Sequence, residues 1–259
     1  MERCIYTALA AVFGLMIGSF LNVCVYRIPK GESAAKGRSY CPSCRHTLAF
    51  FDLVPVLSWV FLRGKCRYCK AKISPRYAAV ELLTAACYAA AFVFSAGYYS
   101  AVLNCMLASV LIVLALIDWD TREIYDTLPV LILVLAALNL FLSGGEIRFS
   151  FDREFILKVA GFFAASLPML AIACFTGGFG GGDIKLMAAA GLYLGAPNIA
   201  LAFFIGALFG SVYGIAQVLQ KKADRKSAFA FGPFLSLGIF VSALFGSRII
   251  DFYLRLFGL

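Results

Sequence analysis

The sequence predicts an all-α polytopic membrane protein with about eight transmembrane helices and one small extramembrane module. Three observations predict it. Of 259 residues, 62% are hydrophobic and only 14% charged, against about 25% charged in an ordinary soluble domain. A chain of this size has too much surface for its volume to hide so many apolar side chains in a water-soluble fold, and apolar runs long enough to cross a bilayer recur along it. The charge, finally, is concentrated. Residues 27–76 hold eleven basic and two acidic side chains and account for the whole net +9, while the remainder holds twelve of each sign. That distribution argues against a uniformly basic nucleic-acid binder, so no nucleic-acid partner is expected. It reads as one basic cytoplasmic loop lying near anionic lipid headgroups.

The elements follow in order. Residues 4–26 carry no charge and form the first expected span. The run is longer than the ~7–15-residue apolar core of a signal peptide, and no small-residue cleavage site follows it. Residues 27–76 are the basic module. Span two, 77–97, is opened by Ser74-Pro75, which suit the N-cap and first helical position. Span three covers 101–117, an acidic stretch occupies 118–126, and spans four and five cover 127–143 and 155–175. A glycine-rich turn, 177–182, leads to Asp183 and a short apolar segment, 184–194, closed by Gly195-Ala196-Pro197. Residues 198–219 and 229–245 are the last two spans. The short segment reaches only ~18 Å as a helix, against a hydrocarbon core of ~30 Å. The positive-inside rule decides its topology: only if it crosses does the cluster Lys221-Lys222-Ala223-Asp224-Arg225-Lys226 share a side with the basic loop. Eight crossings result, with both termini outside and with the acidic stretch and the glycine-rich turn both cytoplasmic. The expected domains are the first helix (1–26), the cysteine module (27–76) and the helical bundle (77–259).

Four of nine cysteines lie in the basic loop, as Cys41-Pro42-Ser43-Cys44 and Cys66-Arg67-Tyr68-Cys69. Two C-x-x-C knuckles about twenty residues apart can each direct two thiolates at one tetrahedral Zn2+, which makes the module zinc-ribbon-like with Cys41, Cys44, Cys66 and Cys69 as ligands. A reducing cytoplasm disfavours the alternative, a pair of disulfides. His46 is the only histidine, so no serine or cysteine triad built on histidine is expected. Residues 50–62, between the knuckles, are too apolar for a free loop and are expected to pack on the bundle or lie in the membrane interface.

Acidic side chains at a membrane edge are costly and mark functional sites. Asp118 ends span three directly after Leu116-Ile117, with Asp120, Glu123 and Asp126 behind it. Gly180-Gly181-Gly182-Asp183-Ile184-Lys185 sets a second acid at the mouth of a helix, on the same expected face. Two facing carboxyls in a partly desolvated site share a proton. The ionised one can then deprotonate a water while the protonated one polarises a peptide carbonyl. This is aspartic-protease chemistry, and the adjoining glycines would let a peptide backbone approach closely. A solvated helix end for Asp118 and Asp120, and an N-cap for Asp183, are the structural alternatives.

These motifs together resemble the type IV prepilin peptidases (prepilin leader peptidase/N-methyltransferase), GxGD-type aspartic membrane proteases. Gly18-Ser19-Phe20-Leu21-Asn22-Val23 and Tyr26-Arg27-Ile28-Pro29 resemble the family's opening motif. The two knuckles, Ile73-Ser74-Pro75-Arg76-Tyr77, Val80-Glu81, Ile117-Asp118-Trp119-Asp120 and Gly181-Gly182-Asp183-Ile184-Lys185 follow. One departure is Ile124-Tyr125-Asp126, where the family commonly has proline before the aspartate. The resemblance implies cleavage of the short basic leader of type IV prepilin or pseudopilin precursors in a bacterial cytoplasmic (inner) membrane. It assigns Asp118 and Asp183 as the catalytic pair, with Asp120, Asp126, Gly181, Gly182 and Lys185 in support. It also implies N-methylation of the new N-terminus with S-adenosylmethionine, with Asn22, Arg27, Arg76 and Glu81 as candidates for that step. The acidic stretch is expected to attract the basic leader. Two other classes compete: a small transporter, which would carry its acids mid-span, and a zinc-organised assembly factor, which would not need the aspartates.

Overall fold

Ten α-helices make up nearly all regular structure in this computed structural model, which describes residues 2–143, 146–147, 152–220 and 229–258. The all-α expectation holds apart from one two-residue antiparallel ladder, β1 (Leu142–Ser143) on β2 (Glu146–Ile147). The basic cluster Lys221–Lys226 that decided the predicted topology lies outside the described residues. The chain divides into two compact units, Met1–Val93 and Phe94–Leu259.

In the first unit, α1 (Glu2–Arg27) and α3 (Arg76–Phe94) cross closely. A Cβ at Gly14 would lie 2.8 Å from Ala85 Cα, and one at Gly18 2.7 Å from Glu81 Cα. This Gly-x-x-x-Gly stripe lets two backbones meet where lipid supplies no hydrophobic drive for helix association. Pro29 starts a single 3-10 turn after α1, and the chain enters the cysteine module. Its knuckles are twins. Cys41 N–H donates to His46 C=O and Cys66 N–H to Ala71 C=O, while Arg45 and Lys70 return N–H groups to Cys41 and Cys66 from left-handed backbone positions. Between them, α2 (Leu57–Phe61) is anchored by Trp59, whose indole N–H donates to Ile73 C=O at 3.2 Å. Phe50, Phe51 and Phe61 stay 74–81% exposed within the described residues.

The second unit is a bundle built on α4 (Tyr98–Thr121), whose Leu107, Leu114 and Ile117 are fully buried. Around it run α5 (Thr127–Phe141), α6 (Arg153–Ala164), α7 (Ser166–Thr176), α8 (Gly181–Leu194), α9 (Ala196–Leu219) and α10 (Gly232–Leu256). Helix α8 packs on α5, α6, α7, α9 and α10. Its alanines and glycines permit this: Gly191 on α8 and Gly161 on α6 pack backbone to backbone. At its far end Tyr193 Oη donates to Asn104 Oδ1 (2.9 Å), and Asn104 Nδ2 to Ser95 Oγ (3.0 Å), a buried relay that ties α8 to the start of α4.

Several boundaries differ from the sequence reading. Among the described residues, six segments are long and apolar enough to cross a membrane by themselves. The other two expected spans are α5 and α8, fifteen and fourteen residues long, or about 22 and 21 Å. Span three runs on to Thr121, because acids at a helix end do not stop the helix, so Asp118 and Asp120 lie within α4. Span five breaks at Ala165 into α6 and α7. Pro168 lacks the N–H that would reach back to residue 164, and its ring crowds that carbonyl. The last span continues to Leu256, since Arg248 and Asp251 interrupt hydropathy without interrupting the helix.

A Cβ at Gly191 meets the α6 backbone, which cannot move aside locally. Gly191→Ala is therefore expected to destabilise the bundle by about 1–3 kcal/mol, read as a lower thermal midpoint in detergent. An unchanged midpoint would contradict the close crossing.

Candidate active site and metal centre

Asp118 sits in the last turn of α4 and is 5% exposed. Its backbone carbonyl accepts the N–H of Arg122, whose left-handed conformation ends the helix. Its side-chain Oδ2 accepts the N–H of Gly232, the first residue of α10, at 2.8 Å. Gly232 is buried, and a Cβ there would lie 2.8 Å from that same Oδ2 and 3.1 Å from Cγ, so only glycine leaves the carboxylate its place. Asp183 occupies the first turn of α8, partly buried, with Oδ2 turned toward Gly180. Contacts of Gly182 with Ile124 and of Phe179 with Phe231 bring the start of α8 to the same end of the bundle as Asp118.

The residues expected to support this pair lie at the end of α4, just ahead of α5 and at the start of α8. A Cβ at Gly182 would lie 2.7 Å from Ile124 Cβ, so α8 begins against the 118–126 segment. Lys185 Nζ meets Asp126 Oδ1 at 2.7 Å in an exposed ion pair that offsets part of the acidic charge of that segment. Gly181 faces open space, and Asp120 lies on the exposed last turn of α4. An aromatic wall adjoins them: Trp119 packs on Tyr213 (centroids 5.6 Å apart), Tyr213 on Phe234 (5.3 Å), and Phe179 on Phe231 (5.8 Å). Sequence reasoning missed Gly232. Its only signal was Gly232-Pro233 at the head of an apolar run, since the partner lies 114 positions away.

In the first unit the four knuckle sulfurs lie within 4.8 Å of one another, with Cys41 and Cys69 Sγ 3.9 Å apart. That is nearly twice a disulfide length of ~2.05 Å. It matches the ~3.8 Å edge of a tetrahedron with Zn–S bonds of ~2.3 Å. The donor set therefore fits zinc. The N–H groups of Cys44 and, less strongly, Ser43 outweigh desolvation at Cys41 and bring its thiol down to about 7. His46 stands apart from the thiols and stacks on Tyr68 at 3.6 Å. Asp52 takes the guanidinium of Arg67 (2.6 Å) and the hydroxyl of Tyr68 (3.1 Å). Burial works against its charge, but these donors and the Ala49 N–H prevail and hold its carboxyl below the usual range.

Beside the cysteines lies a cavity of about 420 Å³, within the range of small-molecule sites. Of the four methyl-transfer candidates, Asn22, Arg27 and Glu81 line it and Arg76 does not. Arg27 is buried and already engaged: its guanidinium donates to the carbonyls of Ser33, Lys36 and Arg38 at 2.6–3.4 Å and so fixes the start of the module. Asn22 Nδ2 donates to Gly18 and Tyr77 carbonyls.

Residues 12–95 match the Bacterial Peptidase A24 N-terminal domain, and residues 105–215 match the Type IV leader peptidase family. The prepilin leader peptidase/N-methyltransferase of Bacillus subtilis (strain 168) is 37% identical over 249 residues, 95% of this chain and 96% of that protein. The chain belongs to the type IV leader peptidase family. Proteins of the same name from Aeromonas hydrophila and Neisseria gonorrhoeae are 34% and 33% identical, covering 98% and 88% of this chain and 95% and 87% of their own lengths. No solved structure matches it. The boundary between the two matched regions of this leader peptidase falls near the division between its compact units.

The purified leader peptidase is expected to carry one zinc ion per chain by elemental analysis. Cys41→Ser combined with Cys66→Ser should abolish it. Protons compete with metal for thiolates, so zinc retention should fall as the pH is lowered. Full zinc occupancy in the double variant would refute the site.

Proposed function

We propose that this leader peptidase removes the short basic leader of a type IV prepilin or pseudopilin at the cytoplasmic face of the inner membrane, using Asp118 and Asp183. It then N-methylates the exposed N-terminus. What supports the first step is a buried Asp118, fixed by the Gly232 N–H, with Asp183 in the first turn of α8, a helix that begins against Ile124 just beyond α4. In this reading the two carboxyls share one proton. The ionised carboxylate takes a proton from water, which attacks the scissile carbonyl carbon. The protonated carboxyl donates to the carbonyl oxygen as charge develops there. Collapse returns a proton to the departing amine. The Gly181–Gly182 backbone leaves room for an extended peptide. Both acids lie at helix ends rather than mid-span, which favours a peptidase over a transporter.

The second step is assigned to the first unit, where the Cys4 cluster holds structural zinc. S-adenosylmethionine supplies the methyl group, and the cavity beside the cysteines has the size and the buried carboxylate to receive such a molecule. The enzyme's part is to bring amine and methyl donor into line.

Asp118→Asn and Asp183→Asn are each expected to lower cleavage of a prepilin peptide by about a thousandfold or more, while methylation of an already cleaved peptide continues. Normal cleavage by either variant would overturn the assignment. Gly232→Ala, which pushes a methyl group against Asp118, should lower turnover by about a hundredfold with little change in KM. Wild-type turnover there would show that Asp118 tolerates displacement.

A further inference from the structure

Residues 50–62 are an apolar stretch inside the module that carries the chain's net charge. They fold as a 3-10 turn (Phe50–Asp52), a reversal and α2, and their large side chains do not turn inward. Phe50, Phe51 and Phe61 are 74–81% exposed, and Leu57 and Val60 55% each. Phe51, Leu57 and Phe61 border one shallow concavity, so the exposed side chains form a patch. A contiguous apolar patch, unlike a lone exposed leucine, marks a surface that meets a partner or a membrane. Two hydrogen bonds fix where the patch stands. The Val56 N–H donates to Glu81 Oε2 at 2.7 Å, and Glu81 lies in the second turn of α3, a helix long and apolar enough to span a bilayer. Helical side chains lean toward the helix N-terminus, so the reversal at Val56 sits alongside the first turns of α3. The Trp59 indole N–H donates to the carbonyl of Ile73, three residues before α3 begins. The patch is therefore held level with the point where α3 enters the lipid. The charge bordering it has one sign. Within the stretch the sole charged side chain is Asp52, which accepts from Arg67 and Tyr68. Arg45, Arg63, Lys65, Lys70 and Lys72 flank it in sequence, and all are exposed.

We propose that residues 50–61 anchor the cysteine module in an anionic lipid monolayer. Phe50, Phe51, Leu57 and Phe61 enter the upper acyl chains, and the flanking arginines and lysines meet the lipid phosphates. The anchor belongs to the first unit and is independent of both reactions proposed above. Removing the apolar patch from water supplies one part of the drive. Attraction of the basic flanks to anionic headgroups supplies the other, as in other interfacial segments. The spans α1 and α3 already confine the module to the bilayer surface, so the anchor acts at high effective concentration and needs little affinity of its own. The module is then fixed to the membrane at three places, the end of α1, the start of α3 and the patch, and cannot swing away from the surface.

The test is photocrosslinking in the full-length, zinc-loaded chain, reconstituted in nanodiscs of phosphatidylcholine with about one-tenth phosphatidylglycerol. p-Benzoylphenylalanine replaces Phe61 in one variant and Phe51 in a second, so the loss of either to misfolding leaves the other, and a wild-type thermal midpoint identifies the folded ones. The same replacement at Phe13, exposed on α1, is the positive control for lipid contact. Mass spectrometry should find lipid adducts at Phe51 and Phe61 as at Phe13. Phosphatidylglycerol should be enriched about two- to fivefold over its bulk share at the two module positions, and stay near its bulk share at Phe13. Adducts to peptides from residues 94–259 would place the patch against the bundle, and adducts to a second copy would make it a dimer contact. Labelling at Phe13 with none at Phe51 or Phe61 would place the patch in water. Each of these three results overturns the proposal, and lipid adducts at the bulk ratio overturn the preference for anionic lipid.

Discussion

A carboxylate buried at the end of a helix must have a donor, and in the second unit that donor is the N–H of Gly232. Much of the bundle can be derived from this requirement. The first residue of α10 must reach the last turn of α4, and it can do so only without a side chain. Pro233 then starts α10 with a fixed φ and no N–H of its own to satisfy. Helix α8 must bring Asp183 to the same place, which calls for a helix slim enough to sit among its neighbours. Ala188, Ala189, Ala190 and Gly191 provide that. The Tyr193–Asn104–Ser95 relay holds the far end of α8.

The first unit meets a different constraint. Its cysteine module is a long polar loop with little apolar core of its own, and domains that cannot bury enough surface are held by cross-links or metal. Two knuckles with the same hydrogen-bond pattern aim four thiols at one point. Arg27 pins the entry of the loop by gathering three carbonyls. Glu81 and Trp59 secure the middle through the backbone of Val56 and Ile73. Arg27 and Glu81 are thus both backbone-organising side chains in this chain.

Much of this was legible in the sequence, for physical reasons. Hydropathy runs locate helices because burial in lipid demands them. The C-x-x-C spacing locates a tetrahedral metal site because the turn geometry is local. Acids beside apolar runs stand out because they are costly there. What was not legible depends on partners that sequence does not name. The acceptors of Arg27 are anonymous carbonyls, so the sequence could not show that its guanidinium also holds the loop. Gly232 looked like an ordinary helix start because Asp118 is 114 residues away. Gly14 and Gly18 were read as part of an opening motif, and the crossing they permit with Glu81 and Ala85 depends on a helix beyond the cysteine loop. The break at Ala165 was within reach, since Pro168 announces it.

The crossing of α1 and α3 has a consequence for how the metal is held. Wherever those helices pack, the two ends of the cysteine loop are brought side by side before any ion arrives. The ion then closes a loop whose ends are already joined, and the conformational freedom lost on binding is correspondingly smaller. The thiols of the intact chain thus act at a higher effective concentration than the same segment would as a free peptide. Helix association thereby prepares the four-thiol cluster for an ion before one binds.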